Sequence, residues 1–311
     1  MNLRAESSWS RRMLCTTALG AAALPMAAAA AVLPGAGVHP VTLPGNAGDS
    51  LRNFMRMAGT PAGETCTLCE GLLYGRPPDA LPNRLVGFRS ALIIRCVEES
   101  PGVFRTQQRE AMHYTDLARG EPIGEFSSPY DGARLTPIGY VSPLNTYLFD
   151  ELGSRMLHPT DSPLRGPQFD WRTDGNEVWV TESRFNIFPS SITEQEFPRA
   201  YSGPERRSVD VLTYSTSATA FADSSISALP ARVSLLSDAP WPLWLMRGRA
   251  DGGVLWQGFG RKYARFAEMP DAARRAVDSV HPGFLDEPWK FPELEFSTAA
   301  QLRRLRAAGV L

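Results

Sequence analysis

The sequence predicts a mainly β protein: an antiparallel barrel or strongly curved sheet with one or two C-terminal helices. Three features predict it. Apolar residues alternate with period two through several stretches between Glu64 and Phe259. Glycine and proline number 26 each in 311 residues, a share that suits many strands joined by turns and ill suits a helical bundle. Helical patterning is confined to short segments, one beginning at Leu51 and two lying beyond Pro270.

Taken in order, Leu51–Met57 predicts a short helix and Glu64–Tyr74 a strand. Arg84–Val97 places Val86, Phe88, Leu92, Ile94 and Cys96 on one face. Pro101-Gly102 then turns the chain into Val103–Tyr114, making a hairpin. Pro129-Tyr130-Asp131-Gly132 is a strong turn signal. Residues 151–175 show little periodicity and several prolines, which predicts a long loop. Glu177–Phe188 and Val209–Phe221 are strands, and Val233–Leu236, Leu243–Met246 and Val254–Phe259 are shorter ones. Helices follow at Asp271–Val280, capped by Asp271, and at Ala299–Ala308, capped by Ser297-Thr298 and ended by Gly309. A sheet of this kind, lipocalin-like in shape, hides its edges and can hold a small ligand inside.

The first 31 residues predict a signal peptide. Arg11-Arg12 forms a twin-arginine pair before an uncharged Ala/Leu-rich stretch, and Ala27, Ala29 and Ala31 offer small-residue cleavage sites. Residues 32–50 predict a linker, and residues 51–311 a single β-rich domain. The expected location is the periplasm, reached through the twin-arginine export machinery, with the signal cleaved near Ala29–Ala31 and no stable membrane insertion of the mature chain. Charge fits a soluble domain: 32 Lys+Arg face 33 Asp+Glu, and removal of the leader leaves 29 against 32. Such a balance lacks the broad basic surface that nucleic-acid binding requires.

No nucleotide-binding glycine loop, serine-hydrolase elbow or metal-spaced histidine pair occurs, so no cofactor and no metal are predicted. Export by this route is the one feature that suggests an oxidoreductase. Cys66-Thr-Leu-Cys69 has the spacing of a redox pair. It falls within a predicted strand, where positions three apart face opposite sides, so ordinary buried thiols are expected, with a disulfide involving Cys96 as the alternative.

Candidate site residues come from polar side chains on apolar strand faces. The even face of Val103–Tyr114 carries Phe104, Thr106, Gln108, Glu110, Met112 and Tyr114. If it points inward, Glu110 becomes a desolvated carboxyl suited to acid/base work. Its structural alternative is a partner for an arginine on a neighbouring strand. His113 titrates near neutral pH but must face away from Tyr114. Glu182, Arg184 and Asn186 share a face with Val178 and Val180, giving an arginine oriented by its own carboxylate or a purely structural pair. Trp241, Trp244 and Trp256 supply apolar area for a ligand pocket or simply core. Beside them Lys262 is expected to be solvated unless burial lowers its pKa enough for covalent chemistry.

Five stretches together resemble the bacterial family known as domain of unknown function 1838. They are Gly71-Leu-Leu-Tyr-Gly75, Met112-His-Tyr-Thr-Asp116, Ser128-Pro-Tyr-Asp-Gly132, Trp241–Met246 and Gly258-Phe-Gly-Arg-Lys262. The resemblance runs from about Leu51 to Glu293 and implies an exported protein without an assigned reaction. Where relatives often carry an aromatic residue, this chain has His113. The functional expectation is a cofactor-independent enzyme, a lyase, isomerase or hydrolase, acting on a small apolar or aromatic molecule in a barrel pocket. Glu110 or His113 would move the proton, Tyr114 would donate a hydrogen bond and Arg184 would hold negative charge. The competing expectation is a carrier of a small hydrophobic ligand, without chemistry.

Overall fold

A computed structural model describes residues 41–292, except Leu152 and residues 159–167, and residues 297–311. The predicted signal peptide and residues 32–40 of the predicted linker, His39 among them, lie outside the described residues.

The elements run α1 (Ala47–Ala58), β1 (Gly63–Arg76), β2 (Asn83–Ser100), β3 (Val103–Thr115), β4 (Phe126–Ser127), β5 (Arg134–Leu135), β6 (Tyr140–Val141), β7 (Asn145–Asp150), β8 (Gly153–His158), β9 (Gln168–Asp174), β10 (Glu177–Pro189), β11 (Glu205–Ser217), α2 (Ala218–Ala222), β12 (Arg232–Ala239), β13 (Gly253–Tyr263), α3 (Asp271–Asp278) and α4 (Thr298–Ala307). One antiparallel sheet dominates, in the order β8-β7-β3-β2-β1-β13-β12-β11-β10-β9, with β6 also paired to β3. It curls strongly into a half-barrel. β4 and β5 form a separate two-stranded piece.

Glycines explain part of the curl. Gly71 and Gly258 face each other across β1 and β13. A Cβ on Gly71 would sit 2.0 Å from the Gln257 carbonyl oxygen, and one on Gly258 would meet the Cys69 sulfur at 2.6 Å. Strands that coil this closely leave no room for a side chain at either position. Two of the stretches that carry the family resemblance therefore mark where the sheet bends.

The concave face holds two apolar clusters, one towards each end. At one end α1 lays Leu51, Phe54, Met55 and Ala58 against Phe104, Phe149, Val180, Tyr214 and Val233. Asn46 caps this helix by accepting the Asp49 amide at 2.8 Å. At the other end Trp241, Trp244, Phe126 and Leu302 pack over Leu73, Val86, Phe88 and Met112. The convex face is covered only in part. The segment from Phe266 to Phe291, with α3, buries Cys66, Ala91, Ile93 and Ala111 of β1–β3.

Most predicted strands are present, with differences that have local causes. The expected loop 151–175 contains β8 and β9. These are the terminal strands of the sheet, so each has a single neighbour and little need for apolar alternation. The expected strand Val209–Phe221 stops at Ser217, whose side chain accepts the Ala220 amide and starts α2. Leu243–Met246 is one 3₁₀ turn over Leu243–Leu245 rather than a strand. Its apolar run is buried on all sides, which periodicity cannot distinguish from a strand. Asp271 lies in the first turn of α3 after Pro270 and is not the cap itself. Ser297 caps α4 as expected.

Candidate functional site

Between the two apolar clusters the curled sheet carries a polar band. Pairing register places its members. Tyr114, Phe88, Gly71, Gly258, Leu235, Leu212 and Glu182 form one continuous row across seven strands. The adjacent row sets Arg184 opposite Asp210, Asp210 opposite Ser237 and Ser237 opposite Trp256. Glu110 lies in the row of Leu92, Thr67 and Lys262. The even face of β3 and the even face of β10 therefore both look into the lumen.

Glu110 is held by two hydroxyls. Ser90 donates to one carboxylate oxygen at 2.5 Å and Tyr140 to the other at 2.7 Å. The Glu110 amide is itself tied to Ser142 at 2.9 Å. Burial pushes the Glu110 carboxyl above the usual carboxylate range; the Ser90 and Tyr140 hydroxyls pull it back, and the Asp210 charge raises it further. Glu110 nevertheless keeps some accessible surface, as do Tyr140, Arg184 and Asp210. Leu92, Leu212, Leu235 and Trp256 on the same face are likewise partly buried.

Glu182 and Arg184 form a two-pronged pair, Nε to Oε1 at 2.6 Å and Nη2 to Oε2 at 2.7 Å. The Glu182 side chain is 0% exposed and that of Arg184 17%. Burial works against the guanidinium charge, but the Glu182 carboxylate more than restores it and keeps Arg184 protonated. Asp210 accepts from Asn186 at 2.6 Å and from Ser237 at 2.5 Å. Asp210 lies directly across from Arg184, whose charge is already matched by Glu182.

Between this band and α1 lies a cavity of about 30 Å³, lined by Phe54, Ala58, Thr106, Gln108, Arg184 and Tyr214 among others. A void of that size holds one or two water molecules. Glu110 is not among its lining residues; the cavity meets the band at Arg184, Leu92 and Leu212.

The remaining predicted residues distribute as follows. Tyr114 lies in the lumen with its ring 5.1 Å from Trp244 and 5.8 Å from Trp256, and burial pushes its phenol up. Trp256 is partly buried and stacks edge-on against Phe88 at 5.1 Å. Trp241 and Trp244 are core, 1% exposed each, so they form the end wall rather than a ligand surface. His113 is 2% exposed and lies on the opposite face of the sheet, 6.4 Å from His281 by ring centres. Burial, His281 and Arg89 lower its pKa to about 4. It cannot share a proton with a guest beside Glu110, because the sheet separates them.

Lys262 also departs from expectation. It is buried on the concave face, where its ammonium donates to the carbonyl oxygens of Arg56 at 2.5 Å and Gly59 at 2.6 Å. It ties down the C-terminal end of α1, and burial lowers its pKa to about 7. Cys66 and Cys69 face opposite sides of β1 and belong to different clusters. With Cys96 they are free, buried thiols whose pKa values burial raises to about 12. Among the described residues no group of three His, Cys, Asp or Glu side chains could hold a metal ion, and no helix is long and apolar enough to cross a membrane.

Sequence reasoning missed Asp210, Tyr140, Ser90 and Ser237. Asp210 was within reach, since it shares the even face of its strand with Leu212 and Tyr214. Tyr140 sits in a two-residue strand with no periodic signal.

The fold is a half-barrel whose concave face carries a polar band. Residues 63–303 match a family model described as a protein of unknown function, DUF1838, and the chain belongs to that family. The match takes in the whole sheet and begins after α1. No curated protein and no solved structure matches the chain.

Proposed function

We propose that this protein is an enzyme that performs acid/base chemistry, without a bound cofactor, on a small uncharged molecule of largely apolar or aromatic character held in the lumen. The observation that supports it is the state of Glu110. It is deep enough for burial to raise its pKa, yet accessible enough to touch a guest. In its protonated form it would donate a proton. Ser90 and Tyr140, both hydrogen-bonded to it, would then stabilise the carboxylate left behind and set it up to take a proton back. Lyase, isomerase and hydrolase reactions all use such a step. Trp256, Phe88 and Leu212 would hold the apolar body of the guest. Arg184, pinned by Glu182, would act as a fixed hydrogen-bond donor more than as a free positive charge.

A ring-sized guest needs roughly tenfold more room than the void beside α1 offers. Entry therefore requires α1 to move outward, with Lys262 and Arg56 as its fastenings. Arg56 donates to the carbonyl oxygens of Ile226, Phe221 and Asp223. On this reading α1 is the lid of the site. The proposed setting is the periplasm, reached by the Arg11-Arg12 signal.

A carrier is the second reading, favoured by the apolar residues that share the lumen wall. Thermal-shift screening with phenols, indoles and cyclic enones, followed by turnover assays on the hits, separates the two. The enzyme reading expects a hit that is converted by the wild type and bound but not converted by Glu110→Gln. Equal conversion by Glu110→Gln, or binding without conversion by the wild type, overturns it.

A further inference from the structure

Among the described residues, the C-terminal segment covers the convex face of the sheet over β1–β3 and nothing covers it over β10–β13. On the bare half Phe259 is 61% exposed, Phe185 54% and Leu236 50%, and Val209 and Ile187 stand beside them. These side chains are neighbours. Phe185 is the direct cross-strand partner of Val209, and Leu236 is the partner of Val211. Leu236 also pairs with Gln257, two residues from Phe259 on the same face. The result is a single apolar patch across four adjacent strands, larger than scattered surface hydrophobics produce.

We propose that this patch is the contact face of a homodimer, in which a second copy of the chain packs its own β10–β13 face on it. The bordering charges point to a second copy, because they are neutralised within the chain. Arg207 pairs with Glu205 at 3.0 Å, Arg172 with Asp170 at 2.5 Å, Arg76 with Asp238 at 2.8 Å and Arg232 with Glu177 at 3.3 Å. Glu70 and Arg261, of opposite sign, flank Phe259. Two such rims meet without net repulsion. A bilayer with anionic headgroups would instead select a rim of free lysines and arginines. Two sheets pressed face to face pack about 10 Å apart, a distance that interlocking phenylalanine and leucine side chains fill. The lumen opens on the other face, so the contact leaves the Glu110 site free.

Sedimentation velocity on the purified chain tests this. The wild type is expected to be a dimer at about 10 micromolar. Leu236→Glu combined with Phe259→Glu is expected to weaken dimerisation by about 100-fold or more. The milder pair Leu236→Gln with Phe259→Gln keeps the test open if the charged pair misfolds; it should also dissociate while keeping the wild-type circular dichroism. A wild type that is monomeric at about 100 micromolar overturns the proposal, and so does a dimer that survives both pairs of substitutions. Monomeric wild type that co-sediments with phosphatidylethanolamine/phosphatidylglycerol vesicles, when the substituted chains do not, assigns the patch to a membrane and also overturns it.

Discussion

Glu110 and His113 stand three residues apart on β3, one on each face of the sheet, and both have pKa values moved by burial. The similarity ends there. Glu110 is hydrogen-bonded by Ser90 and Tyr140 and keeps some accessible surface, whereas His113 is sealed under the C-terminal segment with neither ring nitrogen hydrogen-bonded. A shifted pKa is thus no sign of function in itself. Access to a guest, together with partners that stabilise both protonation states, distinguishes a site from a buried liability. The two residues also push stability in opposite directions with pH. The lowered His113 pKa leaves the folded state with fewer protons, so its cost appears as pH falls from 6.5 towards about 4. The raised Glu110 pKa does the reverse. Its cost is absent below the unfolded pKa of 4.5 and grows as pH rises from there, levelling off above the folded pKa.

Substitutions can break this comparison, and the largest effect is expected on the lumen side. Glu182→Ala leaves the Arg184 guanidinium deep in the sheet without its carboxylate. The expected loss is about 3 kcal/mol or more, read by urea unfolding at pH 7. A loss under about 1 kcal/mol would mean that the pair is solvated and the band is not enclosed.

On the opposite face, His113→Phe removes a group that resists protonation and supplies the aromatic character that the family resemblance associates with this position. The variant is expected to gain about 2 kcal/mol over the wild type at pH 5. The gain should shrink towards zero as pH rises above 6.5, the ordinary histidine value. Parallel stability curves for the two proteins between pH 4 and 7 would show that His113 is not sealed.

A smaller effect is expected at the lid. Lys262→Met removes the two hydrogen bonds that hold the end of α1 and should cost about 1 kcal/mol. Amide exchange should speed up in Ala47–Ala58 and stay unchanged in β1–β3. Uniform acceleration across the chain would mean that α1 opens only with the whole fold.

How much of this was legible in the sequence depends on how regular each strand is. β3 and β10 are long and alternate strictly, so parity alone grouped Glu110 with Tyr114 and Glu182 with Arg184 and set His113 on the opposite face from Tyr114; which face looks inward is fixed by the pairing of the strands. Parity could not say what covers the outward face. His113 looked as available as Glu110 until the segment from Phe266 to Phe291 was seen to pack over it. Lys262 misled for the same reason. Its strand position was readable, but its two acceptors are carbonyl groups about 200 residues earlier in the chain. Tyr140 and the edge strands β8 and β9 left no periodic trace, because a two-residue strand and a strand with one neighbour are shaped by tertiary contacts. The apolar run at Leu243–Met246 shows the opposite failure, in which strong local apolarity concealed a 3₁₀ turn.

The proposed function rests on Glu110 as a deep, guest-facing acid. Its carboxyl carbon can be followed by ¹³C NMR from pH 3 to 9 in glutamate-labelled protein, with Glu110→Gln assigning the resonance. The account predicts a titration midpoint clearly above the ordinary carboxylate range, and a further shift when a bound aromatic molecule excludes water from the lumen. A midpoint at the ordinary value near 4.5, unmoved by any bound guest, would contradict it.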